Sequence, residues 1–570
     1  MAEIRQLIEC VPNFSEGRNK EIIKEITDAI TSAADVSLLD VDPGEATNRT
    51  VVTFVGEPEA VVEAAFQGIK KAAEVIDMRQ HHGAHPRMGA TDVCPLIPVS
   101  GITLEECAEL ARGLAKRVAD ELGVPTYCYE AAAFTPERKN LAVCRAGEYE
   151  ALPEKMNHEG KGPDFGDRPF DEAAARTGAT TIGARDFLIA VNFNLNTTST
   201  RRANAIAFDV REKGRPMREG GKVTGKPMKD ENGKPIMIPG TLKGTKAIGW
   251  FIDEYGIAQV SMNITDMRET PLHKAFDEVC RAAAARGLRV TGTEIVGLVP
   301  KSALIEAGKH YLRMQQRSLG IPEADIIKMA VRSMGLDELK PFVPEEKDVE
   351  IMIEKGKEKG KKLTDMTLTA FADETASESP APGGGSIAAY MGALGAALGA
   401  MVANLSAHKA GWDDRWEEFS DAAVKGRGIL DRLIALVDED TEAFNRIMAV
   451  FAMPKSSPEE KAARLAALQE ATLYATQVPL RTMKTSFEAF DLLDQMAANG
   501  NPASISDVGV GALAARSAVL GAHLNVKINA AGLKDREKAD AILAEAAKIA
   551  ADAEEREKKV LSAVNALIDK

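Results

Sequence analysis

The chain of 570 residues is too long for one hydrophobic core, and its length predicts about three or four domains. Apolar residues make up 45% and charged residues 27%, a mix that is typical of a folded globular protein and excludes a largely disordered one. The formal net charge of −14 excludes a chain that binds a nucleic acid backbone without sequence preference.

Three further features concern the class of protein. Six cysteines stand singly, with no C-x-x-C pair, so the sequence shows neither a zinc framework nor a disulfide framework. The N-terminal MAEIRQLIECVPNF lacks the apolar run of a signal peptide, and we expect a cytoplasmic protein. The uncharged stretch at 387–405 is rich in Ala and Gly. It predicts a buried helix with close backbone contacts rather than a membrane span.

Residues 1–184 alternate between short segments rich in β-branched residues and amphipathic segments. Strands are predicted in RQLIECV, VSLLDVD, RTVVTFVG, DVCPLIPV and PTYCYE, and helices in RNKEIIKEITDAITSAA, PEAVVEAAFQGIKKAAEVID and LEECAELARGLAKRVADELG. This order predicts a β-α-β-β-α-β core with one further α/β crossover. Such a core is a ferredoxin-like α+β sandwich.

Residues 185–340 repeat the same order and predict a second ferredoxin-like subdomain. Within it, the Asn-Gly turn of residues 223–240 predicts a hairpin inserted at the surface. The charged residues 341–362 predict a linker, and residues 363–570 carry only helical patterns, which predict a helical bundle. The predicted fold class is therefore α+β followed by all-α.

The loop QHHGAHPRMGA, residues 80–90, holds three of the eight histidines. His81 and His85 have the spacing of the zinc ligands in H-E-x-x-H, but Gly83 and Pro86 are incompatible with the helix that this motif requires. In a loop between a helix and a strand, a histidine can transfer protons near neutral pH. A packing histidine and a metal site of another shape remain as alternatives. Arg87 is a candidate for binding an anion or an ordinary surface arginine.

Two other loops are candidates for a site. Residues 11–19 follow the first strand and lead into a helix, whose free N–H groups suit a carboxylate. Residues 40–50 present Asp40, Asp42, Asn48 and Arg49 between two strands. Ordinary turn chemistry is the alternative explanation for both loops.

Several long motifs resemble one known family. In the first half these are ECVPNFSEGRN, LLDVDPGEATNRTVVTFVG, IDMRQHHGAHPRMGATDVCPLIPV, RAGEYEAL and GLVP, which resemble the formiminotransferase half of the formimidoyltransferase-cyclodeaminase family. In the helical half, SPAPGGGSIAAYMGALGAALGAMV, LVDEDTEAF, MPKSSPEEK and SDVGVGALAARSAVLGAHLNVKIN resemble its cyclodeaminase half. The resemblance covers nearly the whole chain in the same order.

The resemblance implies a bifunctional folate enzyme of histidine degradation, a transferase and an ammonia-lyase. It implies transfer of the formimino group from N-formimino-L-glutamate to N5 of tetrahydrofolate, and then cyclisation to 5,10-methenyltetrahydrofolate with release of ammonia. It further implies polyglutamated tetrahydrofolate as co-substrate, no metal, a homo-oligomer, and neither nucleic acid nor membrane as partner. A methenyltetrahydrofolate cyclohydrolase in the helical domain, or a folate-binding protein without activity, are the alternatives.

The resemblance also implies which residues act. It places the transferase histidine at His85, whose imidazole can accept the proton that N5 loses. It places the acid/base carboxylate of the second reaction at Asp440, which the sequence alone does not distinguish from Asp438 or Glu439. The segment 166–178 is expected to join the two ferredoxin-like subdomains, and Ser386 to cap the next helix. The substrate and folate contacts that the resemblance implies are Asn13, Asp42, Arg49, Arg87, Gly166, Phe170, Gly178, Gly383, Gly384, Gly385 and Ser386.

Overall fold

A computed structural model describes residues 6–33, 35–45, 48–83, 86–158, 160–167, 169–221, 225–347, 349, 352 and 362–569. The chain forms two compact units. One takes Met1–Leu304 and Met334–Glu358, and the other takes Ile305–Ser333 and Lys359–Lys570. The first unit combines β-sheets with helices, whereas the C-terminal part of the chain is helical, as the sequence predicts.

A seven-stranded sheet forms the first half of the α/β unit. Its strands are β1 Leu7–Cys10, β2 Asn13–Phe14, β3 Val36–Gly44, β4 Arg49–Gly56, β5 Thr91–Ser100, β6 Thr126–Glu130 and β7 Thr180–Ala184. Strands β1 and β2 both lie between β4 and β5, β3 is outside β4, and β7 and β6 continue beyond β5 in parallel. The helices of this half are α1 Lys20–Ala33, α2 Pro58–Val75, α3 Leu104–Leu122, α4 Leu141–Cys144, α5 Leu152–Met156 and α6 Glu172–Thr177.

Strand β7 is absent from the sequence prediction. All five of its residues, Thr180–Ala184, are buried, so the strand shows no alternation between apolar and polar positions. By contrast, helix α3 is predicted almost to the residue. Its capping box joins Thr103 and Glu106, and Gly123 ends the helix with a φ of 65°.

The second half of the α/β unit contains an antiparallel four-stranded sheet in the order β11-β12-β8-β13. Its strands are β8 Ile189–Leu195, β11 Thr245–Ile252, β12 Ile257–Ile264 and β13 Val290–Val296, and its helices are α7 Thr200–Val210 and α8 Leu272–Ala284. The predicted hairpin at 223–240 is described from residue 225 onward. There β10 Met237–Ile238 pairs with β9 Arg215–Pro216 to form a separate two-stranded sheet.

Three further helices follow this sheet, namely α9 Lys301–Met314, α10 Glu323–Met334 and α11 Pro344–Lys347. The C-terminal helices are α12 Leu368–Thr375, α13 Gly384–Ala407, α14 Trp416–Phe451, α15 Pro458–Asn499, α16 Ile505–Ala530 and α17 Arg536–Ile568. Their apolar faces form one continuous core.

Helix α13 contains the uncharged stretch at 387–405. Its glycines bring neighbouring helices close, because a Cβ built on Gly399 would lie 2.7 Å from Leu492 Cδ2. By length and composition, two described helical segments could cross a membrane, Gly384–Ala407 and Pro502–Ala530. The bundle buries 61% and 50% of their most apolar windows. The burial of Gly384–Ala407 agrees with the predicted core helix.

Candidate functional site

A cavity of about 690 Å³ lies in the α/β unit and is lined by residues of its seven-stranded and four-stranded sheets. Three predicted site residues line it together: Asn13 on β2, Asp42 on β3 and Arg49 on β4. They meet because β4 pairs with both β2 and β3, placing Val51 beside Asn13 and beside Asp42. The segments 11–19 and 40–50, which lie before and after the first helix in sequence, therefore contribute to one site.

The cavity also contains charged and polar residues that the sequence did not single out. They include Arg185, Asn263, Glu294 and Lys347, all distant from the histidine loop in sequence. Among the sequence motifs, GLVP at 297–300 comes closest in sequence to one of these residues, Glu294. Gly297 and Leu298 of this motif line the cavity directly after β13. Side chains of both signs thus face one space, an arrangement suited to a ligand that carries both a cationic group and carboxylates.

The electrostatics of this cavity reflect partial burial. Burial raises the pKa of the Asp40 carboxyl, and the nearby Asp42 carboxylate raises it further. Burial lowers the pKa of Arg49, and the neighbouring Arg145 cation acts in the same direction. A cationic ligand group near Asp40 and Asp42 would relieve the repulsion between the two carboxylates.

His85 lies outside the described residues, but the start of its loop is well defined. Asn48, at a φ of +50°, donates from Nδ2 to the His82 carbonyl at 3.0 Å and accepts the Gly17 N–H at 3.0 Å. The Asn48 carbonyl lies 2.8 Å from Nε2 of His81, and since a carbonyl only accepts, Nε2 carries the proton. The β3–β4 turn therefore holds the beginning of the histidine loop.

His81 has a structural role in this arrangement. Its side chain is buried, its Nδ1 accepts from Nε of Arg87 at 3.4 Å, and burial lowers its pKa. Both ring nitrogens of a neutral imidazole are thus occupied by protein groups. His82, by contrast, is exposed. The packing explanation therefore applies to His81.

Arg87 is engaged by the protein itself. Its buried guanidinium forms ion pairs with Glu150 at 2.7 Å and Glu148 at 3.2 Å, and Glu150 raises its pKa. It also lies 5.9 Å from the centre of the Tyr149 ring. A substrate anion at Arg87 would compete with two carboxylates, so the predicted contact requires their displacement.

The segment 166–178 lies within the first half of the α/β unit, so the prediction that it joins the two halves is wrong. It precedes β7, and the short connection after β7 leads to β8. Gly178, at a φ of +67°, forms a bridge with Gly89. A Cβ on Gly178 would lie 2.5 Å from Gly89 Cα, so only glycine fits against the chain that follows the histidine loop.

The other two predicted contacts of this segment lie in different surroundings. Phe170 packs edge-on against Tyr149, with ring centres 6.5 Å apart, and contacts the cluster that includes Met88. Gly166 lies at the opposite end of the segment, where an added Cβ would face Ala119 at 3.3 Å. Phe170, Gly178 and Gly166 are not among the residues that line the 690 Å³ cavity.

The second candidate site lies in the helical unit, where α13 meets α14. Helix α13 begins at Gly384 with Gly383 as its N-cap, so the prediction that Ser386 caps this helix is wrong. Ser386 is fully buried, and its hydroxyl lies 2.9 Å from the Val437 carbonyl and 3.1 Å from Oδ2 of Asp440. Its hydroxyl is directed at α14, where it holds the Asp440 carboxyl.

Gly385 makes the approach between these helices tight. A Cβ on Gly385 would lie 2.5 Å from Cγ and 2.6 Å from Oδ2 of Asp440, so no larger residue fits while the carboxyl stays in place. The Gly-rich turn of residues 383–385 therefore covers Asp440 with backbone.

The structure distinguishes the three adjacent acidic residues of α14. Asp438 accepts from the Leu363 N–H at 2.8 Å and from the Thr364 hydroxyl at 2.6 Å. Glu439 accepts from the Tyr474 hydroxyl at 2.6 Å and forms an ion pair with Arg481 at 2.5 Å. These contacts tie both residues to the fold.

Asp440 differs from its two neighbours in its environment. Burial raises its pKa, and the hydrogen bond from Ser386 opposes this shift only in part. No ion pair to Asp440 is found within the described part of the chain. Because a raised pKa leaves more of a carboxyl group protonated at a given pH, Asp440 can donate a proton more readily than an ordinary aspartate and can also accept one. Among described residues, no group of three or more His, Cys, Asp or Glu side chains is arranged to hold a metal ion.

Comparisons with known proteins match three successive segments of the chain. The family described as "Formiminotransferase domain, N-terminal subdomain" matches residues 7–185, "Formiminotransferase domain" matches 190–354, and "Formiminotransferase-cyclodeaminase" matches 367–548. A formimidoyltransferase-cyclodeaminase of Sus scrofa is 44% identical over 537 residues, which cover 93% of each chain.

Single-function relatives match each half separately. A glutamate formimidoyltransferase of Thermoplasma acidophilum is 42% identical over 324 residues, covering 56% of this chain and 96% of that protein. A methenyltetrahydrofolate cyclohydrolase of Methylorubrum extorquens is 38% identical over 203 residues, covering 36% of this chain and 98% of that protein. Because similarity to the two-part relative extends across both halves, the chain belongs to the formimidoyltransferase-cyclodeaminase family.

Proposed function

We propose that the chain catalyses two consecutive reactions on tetrahydrofolate. The formimino group of N-formimino-L-glutamate is transferred to N5 of tetrahydrofolate, and 5-formiminotetrahydrofolate is then cyclised to 5,10-methenyltetrahydrofolate with release of ammonia. The observation that carries this proposal is the match over 93% of the chain to relatives that combine both parts.

In the transfer step, N5 attacks the formimino carbon, and the bond from that carbon to the glutamate nitrogen breaks. His85 accepts the proton that N5 loses and returns it to the departing amine. The 690 Å³ cavity supports a site for the substrate of this step, because Asp42 can orient the cationic amidine while Arg49 and Lys347 supply charge for glutamate carboxylates.

In the cyclisation step, N10 attacks the formimino carbon, and the bond to the terminal nitrogen then breaks to release ammonia. Asp440 takes the proton from N10 and gives a proton to the leaving nitrogen. Its raised pKa supports this role, since burial favours the protonated form, and a carboxyl group that holds a proton more readily can donate as well as accept one. The Gly-rich turn at 383–385 supplies backbone N–H groups at the start of α13 for the folate.

We further propose that each half of the α/β unit is a ferredoxin-like sandwich. The strand orders β3-β4-β1/β2-β5 and β11-β12-β8-β13 support this, because both place the first strand between the third and the fourth. The predicted domains at 1–184, 185–340 and 363–570, with a linker at 341–362, belong to the same proposal. So do a cytoplasmic location, a homo-oligomer, polyglutamated tetrahydrofolate as co-substrate, and chemistry without a metal.

The similarity to a methenyltetrahydrofolate cyclohydrolase supports a second candidate activity for the helical unit. The two activities differ in their products, because only the cyclodeaminase reaction releases ammonia. Purified protein is given formiminoglutamate and tetrahydrofolate, and glutamate, ammonia and methenyl absorbance are followed together. Stoichiometric ammonia supports the first candidate. Glutamate without ammonia, together with hydrolysis of added methenyltetrahydrofolate, would establish the second.

A further inference from the structure

The α/β unit contains a second cavity, of about 500 Å³, that shares no lining residue with the 690 Å³ cavity. It lies beside β6 and is formed by the segments around α4 and α5. Its volume is in the range that holds small organic ligands. The charged and aromatic residues that line it include Tyr127, Glu137, Arg138, Glu154, Lys155 and Lys161.

Lys155 places a cation in this cavity in unusual surroundings. Its side chain is half-buried, its ammonium donates to the Cys144 carbonyl, and no described carboxylate forms an ion pair with it. Burial lowers the pKa of Lys155, and the nearby cations of Arg138 and Lys161 lower it further. An ammonium group has three N–H donors, and only one of those on Lys155 has an acceptor among the described residues. The neighbouring cations also make the electrostatic potential around this group positive.

The nearby carboxylates do not neutralise the charge of Lys155. Arg138 is neutralised by Asp164 at 2.6 Å. Glu137 and Glu154, which also line the cavity, are exposed and form no described ion pair with Lys155. The charge of Lys155 therefore remains available to a ligand.

Tyr127 also lines this cavity. It is 1% exposed, and its hydroxyl has no hydrogen-bond partner among the described residues. Its ring lies 5.0 Å from the Lys155 ammonium and 5.3 Å from the Arg138 guanidinium. A buried hydroxyl without a partner is unfavourable, and an acceptor oxygen supplied by a ligand would satisfy it.

We propose that this cavity binds a small organic anion, a carboxylate or a phosphate monoester with a compact apolar body. The anionic oxygens accept from Lys155 and from the Tyr127 hydroxyl, since both donate and neither has an ionic partner. The apolar body contacts Val143, Ala146 and Ala151 on the cavity wall. The site is separate from the folate chemistry proposed above and does not depend on it.

Binding of matched probes to the full chain tests this proposal. Benzoate, phenyl phosphate and the uncharged isostere benzamide are titrated by calorimetry at constant ionic strength. One or both anions are expected to bind saturably with one site per chain, and benzamide is not. Whichever anion binds more tightly identifies the source as a carboxylate or a phosphate. Both outcomes support the proposal.

Variants assign the binding to this cavity. Lys155→Gln is expected to weaken binding at least tenfold, and Tyr127→Phe several-fold. Lys70→Gln, which removes an exposed lysine on α2, leaves binding unchanged. Because Tyr127→Phe removes only an unpaired hydroxyl, its melting temperature without ligand is expected to equal or exceed that of the parent, so weaker binding cannot be ascribed to unfolding. The proposal is overturned if neither anion saturates, if benzamide binds equally well, or if Lys155→Gln retains the parent affinity.

Discussion

Replacing Gly385 by alanine should selectively disable the second reaction. The new Cβ would lie 2.5 Å from Cγ of Asp440, whereas ordinary contact begins near 3.5 Å. Because both atoms are set by packed helices, the carboxyl group has to move by about 1 Å. A displacement of this size at a reacting group costs roughly 100-fold in rate, or about 2.7 kcal/mol.

The assay for this variant measures both reactions in one vessel. Glutamate release reports the transfer step, and ammonia release reports cyclisation. We expect initial glutamate release at the parent rate and ammonia release about 100-fold slower. The matched control is Gly428→Ala on α14, where an added Cβ meets no atom within 4 Å. That control should keep both rates and raise helix stability by up to about 1 kcal/mol.

Two results would refute the reasoning. If Gly385→Ala releases ammonia at the parent rate, contact between α13 and the Asp440 carboxyl is not what positions the reacting group. If glutamate and ammonia release fall together while the protein remains folded, the substitution acts on the transferase reaction as well, and the two sites are not independent.

Three further predictions follow from burial and close contact. Because the pKa of Asp440 is raised, the folded state holds this proton more tightly than the unfolded state, and the stability of the parent falls as pH rises above the ordinary aspartate range. Asp440→Asn lacks this loss, so its melting temperature should rise relative to that of the parent from acid to neutral pH. A difference in melting temperature that stays constant with pH would contradict this. His81→Ala should lower the free energy of unfolding by about 1–3 kcal/mol in urea, while exposed His82→Ala should stay within about 0.5 kcal/mol, and equal losses would refute the packing role. Gly178→Ala, strained at positive φ and crowded by Met88, should lose more than about 2 kcal/mol in the same assay; parent-like stability would show that the chain relaxes there.

Sequence patterns predicted the elements whose signal is local. Helix α3 has apolar periodicity, a capping box and a terminal glycine, and it was found where these features place it. The all-buried β7 lacks any such signal and was missed, which also led to the wrong position for the segment 166–178. A strand that is buried on both faces has no alternating polar pattern, so it is recognised only from the strands that pair with it in the structure.

The candidate sites show the same limit. Asp438, Glu439 and Asp440 are adjacent acids on one helix, and their environments differ because each contacts a different part of the fold: residues 363–364, α15 and α13 respectively. Likewise, Arg185 and Lys347 line the 690 Å³ cavity from distant parts of the chain without a motif of their own. The spacing of residues in the sequence identifies side chains that act from the same loop. Which charged side chains share a cavity depends on tertiary packing, which the sequence motifs do not show.

The central claim is that one chain holds two separate reaction sites, and the most direct measurement uses two variants in the combined assay. With formiminoglutamate and tetrahydrofolate, we expect His85→Ala to abolish both glutamate and ammonia release. Asp440→Ala should release glutamate and accumulate 5-formiminotetrahydrofolate without ammonia. When 5-formiminotetrahydrofolate is supplied directly, His85→Ala should release ammonia at the parent rate. Loss of ammonia release from that intermediate in folded His85→Ala, or normal ammonia release by Asp440→Ala, would contradict the account.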